Sequence, residues 1–297
     1  MSDVEAQRAV ALAAPPPAPR KSFAARLVVS PSGLAGGAIV LCLLTVALSA
    51  EHLAPYPVAK MGVGRRLMGP SFAHLLGTDE FGRDMFSRLV LGSRLTLEIG
   101  LIAVGISLTV GMSLGIVAAY ARGWVETVLM RSADILFSFT ETLIALACVA
   151  VLGPSLQNAM IAVGIAGIPY YARTCFATAL VERSKPYFEG AVTAGCGHTR
   201  LILRHLLPNV MPTMMVVATL GLSNALLAAA ALSFLGLGAQ PPTPEWGAML
   251  SGGRDFFHRA PWLMIYPGLA ISITVLGFNL LGDGIREALD PRGEDVR

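Results

Sequence analysis

Two arrangements in this sequence have residue types and spacings that could do chemistry. The first is Gly111-Met112-Ser113-Leu114-Gly115, the G-x-S-x-G spacing of serine hydrolases. That chemistry needs a strained strand-to-helix turn and a nearby base to make the hydroxyl nucleophilic. Here the pattern lies inside an apolar run, and the five histidines, His52, His74, His198, His205 and His258, all fall outside or at the edges of such runs. Glycines four apart share one helix face and let a second helix approach closely, so packing is the better reading. The second is Glu141, in Thr140-Glu141-Thr142, the charge most deeply embedded in an apolar segment. A carboxylate there is costly unless a cavity or partner receives it. It reads equally as lining of a translocation path or as an end group that reaches water. Glu98 lies nearer a segment edge, where snorkelling to the interface accounts for it. Phosphate chemistry has no such arrangement: the only lysines are Lys21, Lys60 and Lys185, and none completes a G-x-x-x-x-G-K-[ST] loop.

The elements that must position these residues are membrane helices. Of 297 residues, 54% are hydrophobic and 14% charged, with mean hydropathy +0.64, which is too apolar for a soluble domain. The apolar runs are continuous and roughly 20 residues long, as helical spans require, rather than short and alternating as in a barrel. Six spans are expected: Gly33–Leu53, Leu95–Ala121, Ala133–Leu152, Leu156–Tyr171, Val210–Leu235 and Ala260–Leu281. Residues 1–30, rich in Ala and Pro, are expected to form a disordered cytoplasmic tail. Six spans place both termini on one side, and with the termini inside, the inner segments hold 14 of the 22 Lys and Arg residues, in keeping with the positive-inside bias. The first outer loop weakens that bias with Lys60, Arg65, Arg66, Arg83, Arg88 and Arg94, and its second half reads as an amphipathic segment. The four cysteines, Cys42, Cys148, Cys175 and Cys196, are scattered without metal-ligand spacing and read as small hydrophobes. A net charge of +3 gives no reason to expect a nucleic-acid partner.

A chain of this kind that moves solute needs a source of energy. With no phosphate loop and almost no intramembrane carboxylates for ion coupling, the driving force is expected from another subunit, and the chain then needs a surface to receive it. The polar stretch from Lys185 to Asn209 is the candidate. Pro186 suits the first turn of a helix and Glu189 complements its dipole. Gly190, Ala191, Ala194 and Gly195 fall at i, i+1, i+4 and i+5, one flank with almost no side chains. Gly195-Cys196-Gly197 breaks that helix, Arg200 and Arg204 follow four apart in a second, and Pro208 is expected to end the second before the fifth span. An ordinary solvated loop with helix caps explains the same residues equally well.

The pattern E-x-A-x-x-x-G, nine residues, then x-x-L-P is met by Glu189, Ala191, Gly195, Leu207 and Pro208. It resembles the coupling loop of permease subunits in binding-protein-dependent ATP-binding-cassette importers. Leu76-Gly77-Thr78-Asp79-Glu80-Phe81-Gly82-Arg83-Asp84, Ala231–Gly238 with Gln240–Pro244, and Asn279–Asp283 with Leu289–Arg292 are similar to the second permease of the dipeptide/oligopeptide class. The resemblance implies an all-α membrane protein with a first span and external loop over 31–94, a five-span core over 95–285 carrying a coupling loop at 183–208, and a cytoplasmic tail at 286–297. It implies a bacterial inner-membrane location with both termini cytoplasmic. It also implies a second homologous permease, two cytoplasmic ATPases that bind ATP and Mg while this chain binds no cofactor, and an external solute-binding protein. Glu189, Ala191 and Gly195 would then sit in an ATPase groove. Three positions depart from the family's pattern: Gly190 for alanine, His205 for an aliphatic residue though histidine is usual in this class, and Thr140 for proline, which puts the geometry of the third span in question. Nickel or another small chelate is an alternative cargo, and an ion-coupled carrier or an intramembrane protease built on Ser113 are alternatives of other classes.

Overall fold

The computed structural model describes residues 23–289. The expectations for residues 1–22 and for Asp290, Pro291 and Arg292 lie outside the described residues. Phe23–Val29 form a short helix, α1, so the end of the stretch expected to be disordered is ordered. Its reason is a glycine-lined crossing: Leu27 lies against Gly33 and Gly284, where added methyl groups would meet its backbone oxygen and side chain.

Helix α2, Pro31–Leu48, starts with Pro31 in its first turn and with Ser30 accepting from the Gly33 N–H. A short helix α3, Ala50–Leu53, closes the first span. Helix α4 covers Met85–Ala121. Its 37 residues reach about 55 Å, well beyond a hydrocarbon layer of about 30 Å. The segment expected to be a separate amphipathic part of the outer loop is therefore the beginning of this helix, ten residues ahead of the expected start at Leu95. Hydropathy registers only the apolar part of a helix, whereas the cap at Asp84 decides where it begins.

The third span is not continuous. Gly123–Phe137 (α5) and Glu141–Leu152 (α6) meet at 91° across Ser138, Phe139 and Thr140, which corrects the expected single span over Ala133–Leu152. Thr140 has φ −66° and ψ 143°, a conformation that proline would also adopt, so the turn forms although the expected proline is absent. Helix α7, Leu156–Arg183, is capped by Ser155 and continues past Pro169 and past the expected end at Tyr171. Backbone groups loosened near a membrane proline can find other donors, and Ser107 donates across from α4 to the Gly164 carbonyl at 2.6 Å.

Helix α8, Pro186–Thr193, leads through Ala194–Gly197 into α9, His198–Arg200. A π-helical turn, Leu201–Leu206, runs directly into α10, Leu207–Phe234. Pro208 therefore does not end a helix, contrary to expectation. The wide turn just before it makes room for a ring that a regular helix would exclude. Helix α11, Trp246–Gly253, and α12, Trp262–Leu289, complete the order, so residues 286–289, expected to open the C-terminal tail, are helical.

The most extensive pairing is α4 with α7; α2 packs along α12, and α10 bridges α4, α7 and α12. Gly111 and Gly115 make the first of these possible. A methyl at Gly115 would lie 2.6 Å from the Ala172 carbonyl oxygen, and one at Gly111 would lie 2.9 Å from the Ala172 nitrogen. Ser113 is exposed on an unbroken helix and donates to Thr109 O at 2.7 Å, far from the strained turn that a nucleophile requires. Gly115→Ala is expected to lower stability by about 1–3 kcal/mol through overpacking, readable as an earlier denaturation midpoint of the purified protein in detergent.

Candidate functional site

The polar stretch folds as a bracket beneath the core. Phe188 is buried among Leu201, Leu206 and other residues of the main cluster, and Ala191, one turn on, is half-buried on the same side. Glu189, Gly190, Val192, Thr193, Ala194 and Gly195 face outward. The flank foreseen from Gly190, Ala191, Ala194 and Gly195 is thus only partly external, because Phe188 turns Ala191 inward. The helix closes with Gly195 at φ +77°, its N–H donating to Val192 O at 3.0 Å and that of Cys196 to Ala191 O at 3.2 Å, the geometry that favours glycine after a helix end.

The bracket is tied to two spans. Arg183 donates to the carbonyls of Ala119 at 2.6 Å and Tyr120 at 2.8 Å, closing the end of α4. Glu182 accepts from Lys185 and, at 2.8 Å, from Tyr187. Partial burial and the bond to Glu182 raise the Tyr187 phenol to about 12, so it stays a neutral donor near neutral pH. His198 is hydrogen-bonded to Tyr120, and His205, half-buried, tilts against the Tyr187 ring at 6.5 Å. Arg200 and Arg204 are exposed, as is Pro208, while Leu207 is half-buried against the core. None of Phe188, Arg183, Tyr187 or Tyr120 stood out in the sequence; an aromatic residue inside a polar island was the available signal.

The outer-loop motif builds a buried polar network. Asp79 accepts from the N–H groups of Phe81 at 2.9 Å and Arg83 at 2.8 Å and pairs with the Arg83 guanidinium; Arg88 stands 3.7 Å away. Asp84 accepts from the Ser87 N–H as cap of α4 and holds His74 at 2.8 Å. Thr78 accepts from Met68 N–H at 2.9 Å. Gly77 and Gly82 have φ +79° and +72°, and methyl groups there would meet the carbonyl oxygens of Met68 and Gly64. Arg88 also donates to Val58 O and Pro242 O at 3.1 Å each, joining this loop to the segment before α11. Burial pushes the Glu80 carboxyl above the usual carboxylate range. These residues hold the loop's shape.

Glu141 opens α6 at the bend, where its charge complements the helix dipole. The bend lines an open cavity of about 510 Å³, walled by Leu136, Phe137, Phe139, Ile144 and Pro169 and including Glu141, Tyr170 and Asn224. An inner crevice continues from it past Ser107, Gly167, Tyr171 and Gly221.

Comparison with known proteins decides the family. Residues 111–294 match the model of the binding-protein-dependent transport system inner membrane component. The chain belongs to that family. Its relatives include a dipeptide transport system permease protein of Alkalihalophilus pseudofirmus, 44% identical over 87% of this chain and 85% of the relative. A glutathione transport system permease protein of Pectobacterium atrosepticum is 42% identical over 92% and 91%, and a di/tripeptide transport system permease protein of Pseudomonas aeruginosa is 43% identical over 93% of each. In fold, the chain is similar to a chain of the MetNI methionine ABC transporter solved in inward-facing conformations, with TM-score 0.58 and 19% identity over 69% of this chain and 98% of that one.

Among the departures from the permease pattern, Gly190 has nothing within 4 Å of where a methyl would sit. No neighbour demands glycine there. Gly190→Ala is expected to stabilise α8 by about 1 kcal/mol while leaving uptake within about twofold, read as slower amide hydrogen exchange over Ala191–Ala194.

Proposed function

We propose that this chain is one of two transmembrane subunits of an ATP-driven importer for dipeptides or short oligopeptides. One of two cytoplasmic ATPases grips the outward face of α8 and its end through Glu189, Gly190, Ala194 and Gly195; ATP and Mg bind to the ATPases, and an external binding protein delivers the solute. Both termini and α8 lie on the cytoplasmic side. The observation that carries this reading is the anchoring of α8: Phe188 sits in the same apolar core as α4, α7 and α10, and beyond the break at Ala194–Gly197 the π turn runs on directly into α10. A push on α8 therefore moves three spans together as a rigid body. The bend at Ser138–Thr140 supports a solute path, since non-helical backbone at membrane depth persists only inside protein or beside a water-filled cavity. The second permease closes the open side of that cavity.

Reconstitution tests the reading. The chain with its second permease, ATPases and binding protein in proteoliposomes should accumulate tritiated alanyl-alanine only with ATP and the loaded binding protein. Uptake by this chain alone, without ATP, would overturn it in favour of an ion-coupled carrier.

A further inference from the structure

Four polar side chains from three helices converge on the cavity beside the bend: Tyr171 is buried there, while Glu141, Tyr170 and Asn224 are exposed to the open space. Glu141 of α6, Tyr170 and Tyr171 of α7 and Asn224 of α10 line the inner crevice together. The Tyr171 hydroxyl is buried, in a residue 3% exposed, without a hydrogen-bond partner. The Glu141 carboxylate, the Asn224 amide and the Tyr170 hydroxyl make no hydrogen bond or ion pair with the described residues. Two glycines clear the space they face. A methyl at Gly221 would lie 1.9 Å from the Tyr171 hydroxyl, and one at Gly167 would lie 2.5 Å from the Ser107 hydroxyl and 3.8 Å from Glu141 Oε1. Buried polar groups are normally paired, which the Tyr171 hydroxyl is not, and a carboxylate at membrane depth is costly unless a cavity or partner receives it. Such a set persists where a passing polar ligand completes it.

We propose that this cluster is a transit site for the α-ammonium end of the peptide, an inference that rests on the importer reading above. Glu141 supplies the opposing charge, the Tyr171 and Asn224 groups take the adjoining peptide amide, and Leu136, Phe137, Phe139 and Pro169 offer an apolar wall to the side chains. Among the described residues that line either part of the cavity, Glu141 carries the only formal charge, so the site selects cations over anions. Its volume of about 510 Å³ lies within the range of roughly 300–1,000 Å³ typical of small-molecule sites.

The test uses the complete reconstituted transporter with alanyl-alanine. In Glu141→Gln, peptide taken up per ATP hydrolysed should fall at least about tenfold, while Glu141→Asp, which keeps the charge, should retain a third or more. The ratio of wild-type to Glu141→Gln uptake should shrink toward one between about pH 7 and pH 9, as the peptide's amino group, with a pKa of about 8, loses its proton. Tyr170 and Tyr171 are the titratable groups facing Glu141; α4 and α10 present only Ser107 and Asn224 there. Equal losses in the Gln and Asp variants, a parallel loss of uptake and ATP hydrolysis, or a ratio independent of pH would each overturn the inference. A wild-type complex with no ATP-dependent uptake would overturn the importer reading itself, whereas wild-type uptake with an unaffected Gln variant would overturn the transit site alone.

Discussion

Glu189→Arg is expected to cut ATP-driven uptake by roughly 30-fold to several thousand-fold. The carboxylate is exposed in the first turn of α8 and makes no side-chain bond within the described residues, so little inside this chain depends on it. Reversing its charge removes a favourable dipole interaction of about 0.3–1 kcal/mol and adds an unfavourable one, which α8 survives because Phe188 anchors it. The larger effect falls on docking. Opposing a charge across a desolvated interface costs about 2–5 kcal/mol, and every 1.4 kcal/mol is tenfold in affinity. Co-purification of the ATPases with the variant, alongside vesicle uptake, reads the two steps separately. Normal co-purification and normal uptake would show that α8 is not where the ATPase binds.

Asp79→Ala is expected to unfold the outer loop locally, at a cost of about 3–5 kcal/mol. Arg83 and Arg88 are 4% and 5% exposed, and removing their partner leaves two buried guanidinium groups facing each other with Glu80, 3.6 Å from Arg83, as the remaining acid. Breaking a buried pair from one side costs far more than the pair itself contributes. The N–H groups of Phe81 and Arg83 lose their acceptor as well. Asp79→Asn keeps an acceptor for those N–H groups and loses only the charge, so its effect should be smaller. Limited proteolysis between residues 62 and 84, with hydrogen exchange at the start of α4, measures both. Resistance equal to wild type in the Ala variant would mean that Asp84 and Thr78 hold the loop without Asp79.

The sequence by itself determined that this is a helical membrane protein, because a 20-residue apolar run has no other stable state in a bilayer. It also determined the face that Gly111 and Gly115 offer to a neighbouring helix and the helix begun at Pro186 and broken at Gly195, since caps, glycines and prolines act within a few residues of themselves. What lay beyond it depended on partners distant in the chain. The start of α4 at Met85 rests on Asp84 and on Arg88 reaching Val58 and Pro242. The continuity of α10 past Pro208 rests on a π turn packed through Leu201 and Leu206. The 91° bend leaves Glu141 at a helix start rather than within a span, and its convergence with Tyr171 and Asn224 joins positions far apart in sequence. Hydropathy sums over neighbours along the chain and carries no record of which helix faces which, so only the packed bundle decides where an unpaired carboxylate points.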